Sequence, residues 1–164
     1  MYSKVKIFGH PVHPMLVPFP IAFYTATLIC AIVYSAQGDT FWFQAAYASN
    51  VAGVVMALVA GLFGFIDFVG IPSGTRAKKH GYQHLIFNSG AFLLFALNLW
   101  LNSGQWDAAA PDMRFGFILP LIGVMFMLAA GYLGWTLVQT DHVGVESATP
   151  EERYAETHRA TKFR

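Results

Sequence analysis

Six histidines carry most of the chemical potential of this chain, and their spacing is patterned. His10 and His13 stand in Gly9-His10-Pro11-Val12-His13-Pro14, at the mouth of an uncharged apolar stretch; His80 and His84 open another, His142 follows the last, and His158 lies in the tail. On a helix His80, His84 and Asn88 fall at i, i+4 and i+8 and share one face, the spacing by which helical histidines reach a single metal. Asp67 closes an otherwise apolar run, where a carboxylate is costly unless it is partnered. Its expected partner is Arg76 or Lys79, or a metal-binding imidazole that it orients. Imidazole suits haem iron and also bare zinc, copper or iron. Cys30 is the only cysteine, so a thiolate cage and an intramolecular disulfide are both excluded within one chain.

The elements that must position these groups are membrane helices. Of 164 residues 55% are hydrophobic and 12% charged, against about a quarter charged in soluble domains. Four stretches lack Asp, Glu, Lys and Arg altogether: Ile7–Gly38, Phe41–Ile66, His80–Trp106 and Phe115–Thr140. Each exceeds the roughly 20 helical residues that cross about 30 Å of hydrocarbon. They are uniformly apolar rather than alternating, which excludes a strand barrel and predicts an all-α, integral membrane four-helix bundle. The spans are expected at Pro14–Ala36, Gln44–Val69, Tyr82–Leu101 and Phe115–Val138. The apolar part of the first is too long for a cleavable signal and is expected to stay in the protein.

Four spans place both termini and the second connector on one side, which collects Lys4, Lys6, Arg76, Lys78 and Lys79. The positive-inside rule makes that side cytoplasmic, and all six histidines then converge on it. Residues 1–140 form the expected four-span domain and 141–164 a cytoplasmic tail. In the tail Ser147, Pro150, Glu151 and Glu152 predict the start of a short amphipathic helix that carries Tyr154 and His158. The prolines around His10 and His13 predict a stiff, non-helical lead into the first span. Pro120 is expected to kink the fourth by freeing the Gly116 carbonyl. Small-residue stripes, Gly53, Ala57, Gly61 and Gly64 in the second span and Gly123, Ala130, Gly131 and Gly134 in the fourth, indicate close helix packing or room for a flat cofactor. No phosphate-cradling loop or Ser/His/Asp arrangement is present, so nucleotide and ordinary hydrolase chemistry have no foothold, and nothing supports nucleic-acid binding.

The segments GHPVHPMLVPFP at the start, GLFGFIDF around Asp67, IPSGTR at 71–76 and His84-Leu-Ile-Phe-Asn88 occur in an order and spacing that resembles the bacterial membrane proteins grouped as domain of unknown function family 2231. The resemblance covers nearly all four spans and stops near Thr140. Its pattern matches here at His10, His13, Asp67, His84 and Asn88; His80 and His142 lie outside it. Some members are joined to iron-sulfur domains of the Rieske type, which implies company with electron transfer.

The leading expectation is a redox membrane protein of the bacterial inner membrane that holds haem b near the cytoplasmic face. Axial imidazoles would come from the His10/His13 pair and from His84, with Asp67 or Asn88 beside them. The rival is a bare zinc, copper or iron ion bound by three or four of His10, His13, His80 and His84, with Asp67 able to join. A third is a structural accessory subunit of a membrane complex. Expected partners are the lipid bilayer and a redox protein or larger complex, with self-association left open.

Overall fold

The computed structural model describes residues 5–113 and 115–145, and it is a bundle of four long helices with almost no sheet. A two-residue ribbon pairs β1 (Lys6–Ile7) with β2 (His10–Pro11), and a single-turn helix α1 (Val12–Leu16) follows. The long helices are α2 (Pro18–Gln37), α3 (Thr40–Val69), α4 (Arg76–Leu101) and α5 (Ile118–Gln139). Counting α1 with α2, each is long and apolar enough to cross a bilayer, as expected for an all-α membrane bundle. Large apolar side chains such as Leu58, Leu62, Leu93 and Leu128 point outward, where a bilayer would cover them. The expected tail helix with Tyr154 and His158 lies outside the described residues.

The second span starts at Thr40, four residues before the expected Gln44, and three other features differ from expectation, each for a local reason. The extended lead ends at Pro11, and His13 is already helical although it precedes a proline. Pro14 sits in the first turn of α1, where its missing N–H would have had no intrahelical acceptor, so the helix tolerates it. The third span starts six residues early, at Arg76, because the Thr75 hydroxyl accepts from Lys78 N at 3.1 Å and caps the end. Lys78 then reaches back to Phe68 O at 2.8 Å, with its ammonium 3.7 Å from the Phe68 ring centroid, so the charge stays at the membrane face. Pro120 produces no kink. Helix α5 begins at Ile118, after Phe115 and Gly116 at positive φ, which places the proline in the first turn.

The packing divides the bundle into two hairpins, α2 with α3 and α4 with α5, each closer within itself than to the other. In the first, Gly38 at φ 72 ends α2 and the Asp39 carboxylate caps α3 by accepting from Phe41 N at 2.9 Å. The hairpins meet at Tyr24 of α2 and Phe95 of α4, whose rings stack 3.7 Å apart and 2° from parallel in the buried core. One end of the bundle carries the N-terminal ribbon, the 70–75 connector and residues 140–145. The other carries 38–39 and the 102–117 loop, which Tyr34 fastens by donating to Pro111 O.

Candidate cofactor-binding site

Two imidazoles are held in the same way at the N-terminal end of the bundle. His13, on α1, hydrogen-bonds through Nδ1 to Ala60 O of α3 at 2.9 Å. His84, on α4, does so through Nδ1 to Ala130 O of α5 at 2.8 Å. A carbonyl oxygen only accepts, so in both rings Nδ1 carries the hydrogen, and in a neutral imidazole that leaves the lone pair on Nε2, the tautomer a metal ligand needs. Each ring also lies on a glycine. A Cβ at Gly64 would stand 2.7 Å from His13 Cε1, and one at Gly134 would stand 3.0 Å from His84 Cε1. Both rings are partly buried.

The likeness extends down both hairpins. An offset of 71 residues carries His13 to His84, Tyr24 to Phe95 and Thr27 to Asn98; an offset of 70 carries Gly53 to Gly123, Ala60 to Ala130, Gly61 to Gly131 and Gly64 to Gly134. The matched residues do matching work. A Cβ at Gly53 would lie 2.7 Å from Tyr24 Cδ1, and one at Gly123 would lie 2.6 Å from Phe95 Cε2. The two hairpins thus share one arrangement, each offering an aromatic ring and an imidazole to glycines of its second helix. The small-residue stripes were visible in the sequence; the nearly equal offsets, 70 for the stripes and 71 for His13 and His84, were the signal left unread. The acceptors Ala60 O and Ala130 O are backbone atoms, which no residue type announces.

The other candidate residues take different places. His10 is exposed and its Nδ1 donates to Phe8 O at 3.0 Å, so it is tied to the ribbon rather than to the bundle. His80 donates from Nδ1 to Asp141 Oδ2 at 2.6 Å, and Arg76 Nε stands 3.7 Å from the other carboxylate oxygen; the Asp141 side chain is 6% exposed. This makes His80 part of an ion-pair cluster between the start of α4 and the end of α5. Arg76 therefore serves Asp141, a residue the sequence reading did not single out. Asp67 is partly buried in the last turn of α3, and His142 lies exposed beyond α5 at φ 53. Asn88 donates from Nδ2 to His84 Nε2 at 3.0 Å and to His84 O at 2.9 Å. Among the described residues no group of three or more His, Cys, Asp or Glu side chains converges as a metal cage would require.

The family model described as predicted membrane protein, DUF2231, matches residues 9–147. The chain belongs to the DUF2231 family. No curated protein and no solved structure matches it. The DUF2231 match takes in both hairpins whole, so the paired imidazoles and their glycine seats fall within the family's own extent.

Proposed function

We propose that this DUF2231 protein is a membrane redox protein and that His13 and His84, each through Nε2, would be the residues that hold a haem b. The observation that carries the reading is the shared setting of the two rings: each gives its Nδ1 hydrogen to a backbone carbonyl of the neighbouring helix, at equivalent positions of the two hairpins. Such a bond fixes the tautomer, orients the ring and raises the basicity of Nε2. Two ligands on facing elements suit a planar cofactor, whereas a bare ion requires three or four.

The donor set fits the group. His13 Nε2 makes no hydrogen bond with the described residues, and His84 Nε2 is met only by the amide of the exposed Asn88, which rotation about its side chain withdraws. When bound, haem supplies a one-electron ferric/ferrous couple. The chain's own contribution is to fix both rings by Nδ1, to bring glycine backbone against them at positions 64 and 134, and to surround the site with apolar helix. In the same reading the end bearing Lys6, Arg76, Lys78 and Lys79 faces the cytoplasm of a bacterial inner membrane. Electrons would pass to a redox protein or a larger membrane complex docked there.

Purification from haem-replete cells without added metal tests the proposal. The expected result is an intense Soret band that shifts with dithionite and is lost in His13→Ala and in His84→Ala. A colourless preparation with stoichiometric zinc would overturn it in favour of the bare-ion site. A colourless, metal-free preparation would favour an accessory subunit.

A further inference from the structure

At the end of the bundle away from the imidazoles, the core contains a small cavity of mixed apolar and polar lining that the cofactor reading does not use. Thr27 of α2, Asn50 of α3 and Asn98 of α4 line it together with Asn102, the C-cap of α4, and all four side chains are at least 95% buried. The Asn50 amide donates to Phe95 O across the hairpin interface at 3.1 Å, and the Asn102 amide donates to Asn98 O at 2.7 Å. Turning either amide over would set oxygen against oxygen, so both orientations are fixed. That leaves Asn50 Oδ1 and Asn102 Oδ1 buried without a partner, one on each hairpin. Unmet acceptors at membrane depth are costly, and two of them bordering one cavity call for a donor between them.

We propose that one internal water molecule occupies this cavity, donates one hydrogen to Asn50 Oδ1 and the other to Asn102 Oδ1, and so joins the two hairpins. The size fits: the cavity leaves about 10 Å³ for the centre of a water-sized sphere, close to the smallest space that holds one water. The chemistry fits as well. Both open groups are acceptors and water brings two donors, whereas a bare sodium or potassium ion would be desolvated among neutral side chains with no carboxylate lining the cavity. Joined in this way, α3 and α4 gain a second polar link beside the Asn50 to Phe95 bond, across the interface between the two hairpins.

The test uses the full chain in lipid nanodiscs. Magnetic-resonance cross-relaxation to water is expected at the side-chain amides of Asn50 and Asn102, and absence of a water contact at both overturns the proposal. Thermal unfolding of Asn50→Ala, Asn102→Ala and the double variant supplies the second arm. One shared water predicts that the double variant loses less Tm than the two single losses together, because either change already releases it; additive losses overturn the bridge. A wild-type Tm that rises with sodium or potassium chloride but not with choline chloride at equal ionic strength also overturns it, in favour of a cation.

Discussion

The first hairpin and the second solve one problem with different parts. In the second, His84 lies within an unbroken helix, and the chain runs straight from the connector through the imidazole to Phe95. In the first, His13 lies in the opening turn, and Val17, helical itself with its N–H on His13 O at 3.1 Å, carries α1 into α2, where Pro18 and Pro20 supply no N–H. The rings nevertheless reach equivalent carbonyls at 2.9 and 2.8 Å and rest on equivalent glycines. What is common to both is the seat of the imidazole; what differs is how the backbone delivers it. A shared seat under different delivery argues that the ring position, rather than the helix, is what the two halves have in common for a purpose.

If the halves are equivalent in function, removing either imidazole must have the same and the largest consequence. Both His13→Ala and His84→Ala are expected to fall from one haem per chain to none, read from the Soret band after purification. Retention of full haem by either variant would break the equivalence and with it the proposed ligand pair. His10→Ala, whose ring is tied to Phe8 O, is expected to keep the cofactor.

The next effect concerns the seats. Gly64→Ala would place a methyl group 2.7 Å from a His13 ring carbon and Gly134→Ala one 3.0 Å from His84, while both rings are held by hydrogen bonds and cannot simply swing away. Each variant is expected to lose about 1–3 kcal/mol, the usual range for overpacking, with Gly64→Ala the worse of the two. Unfolding midpoints in nanodiscs measure it. If Gly134→Ala costs more, the proline-bearing opening turns of the first hairpin absorb strain that α4 does not, and the comparison is sharpened in that direction.

These seats show where sequence reading succeeded and where it stopped. Charge-free lengths were enough for four helices and for one end that gathers His13 and His84, because crossing hydrocarbon leaves few alternatives for an apolar chain. The helical start at Val12 and the early start at Arg76 were not legible, since both depend on which first-turn N–H groups find acceptors. His80 looked like a partner of His84 by helical spacing; what decided otherwise was Asp141, 61 residues away on another helix. Periodicity reports a face, not what stands opposite it.

The stacked pair offers a smaller effect of opposite sign. Tyr24 and Phe95 occupy equivalent places, but only the tyrosine carries a hydroxyl, and that oxygen is buried with no hydrogen-bond partner among the described residues. Tyr24→Phe makes the halves alike and removes an unmet polar group, so a gain of about 1 kcal/mol is expected rather than a loss. A lower unfolding midpoint would mean that the hydroxyl does something the second hairpin has no need of.

The smallest effect isolates the one polar difference next to the ligands. Position 17 answers to position 88 by the same offset of 71 residues, yet the first half has Val17 where the second has Asn88. Of the two rings, His84 therefore has its Nε2 engaged by a neighbour while His13 Nε2 meets none among the described residues, and that bond must be given up before the nitrogen can ligate. A net hydrogen bond is worth about 0.5–1.5 kcal/mol, so Asn88→Val should strengthen haem binding by roughly twofold to tenfold, measured by titrating the apoprotein with haem. The ferric/ferrous couple offers an independent readout, because an amide left beside the iron would change local polarity even if affinity did not move. Weaker binding in Asn88→Val would reverse the assignment: Asn88 would then support the bound state, and the second hairpin would hold its imidazole by means the first does not share.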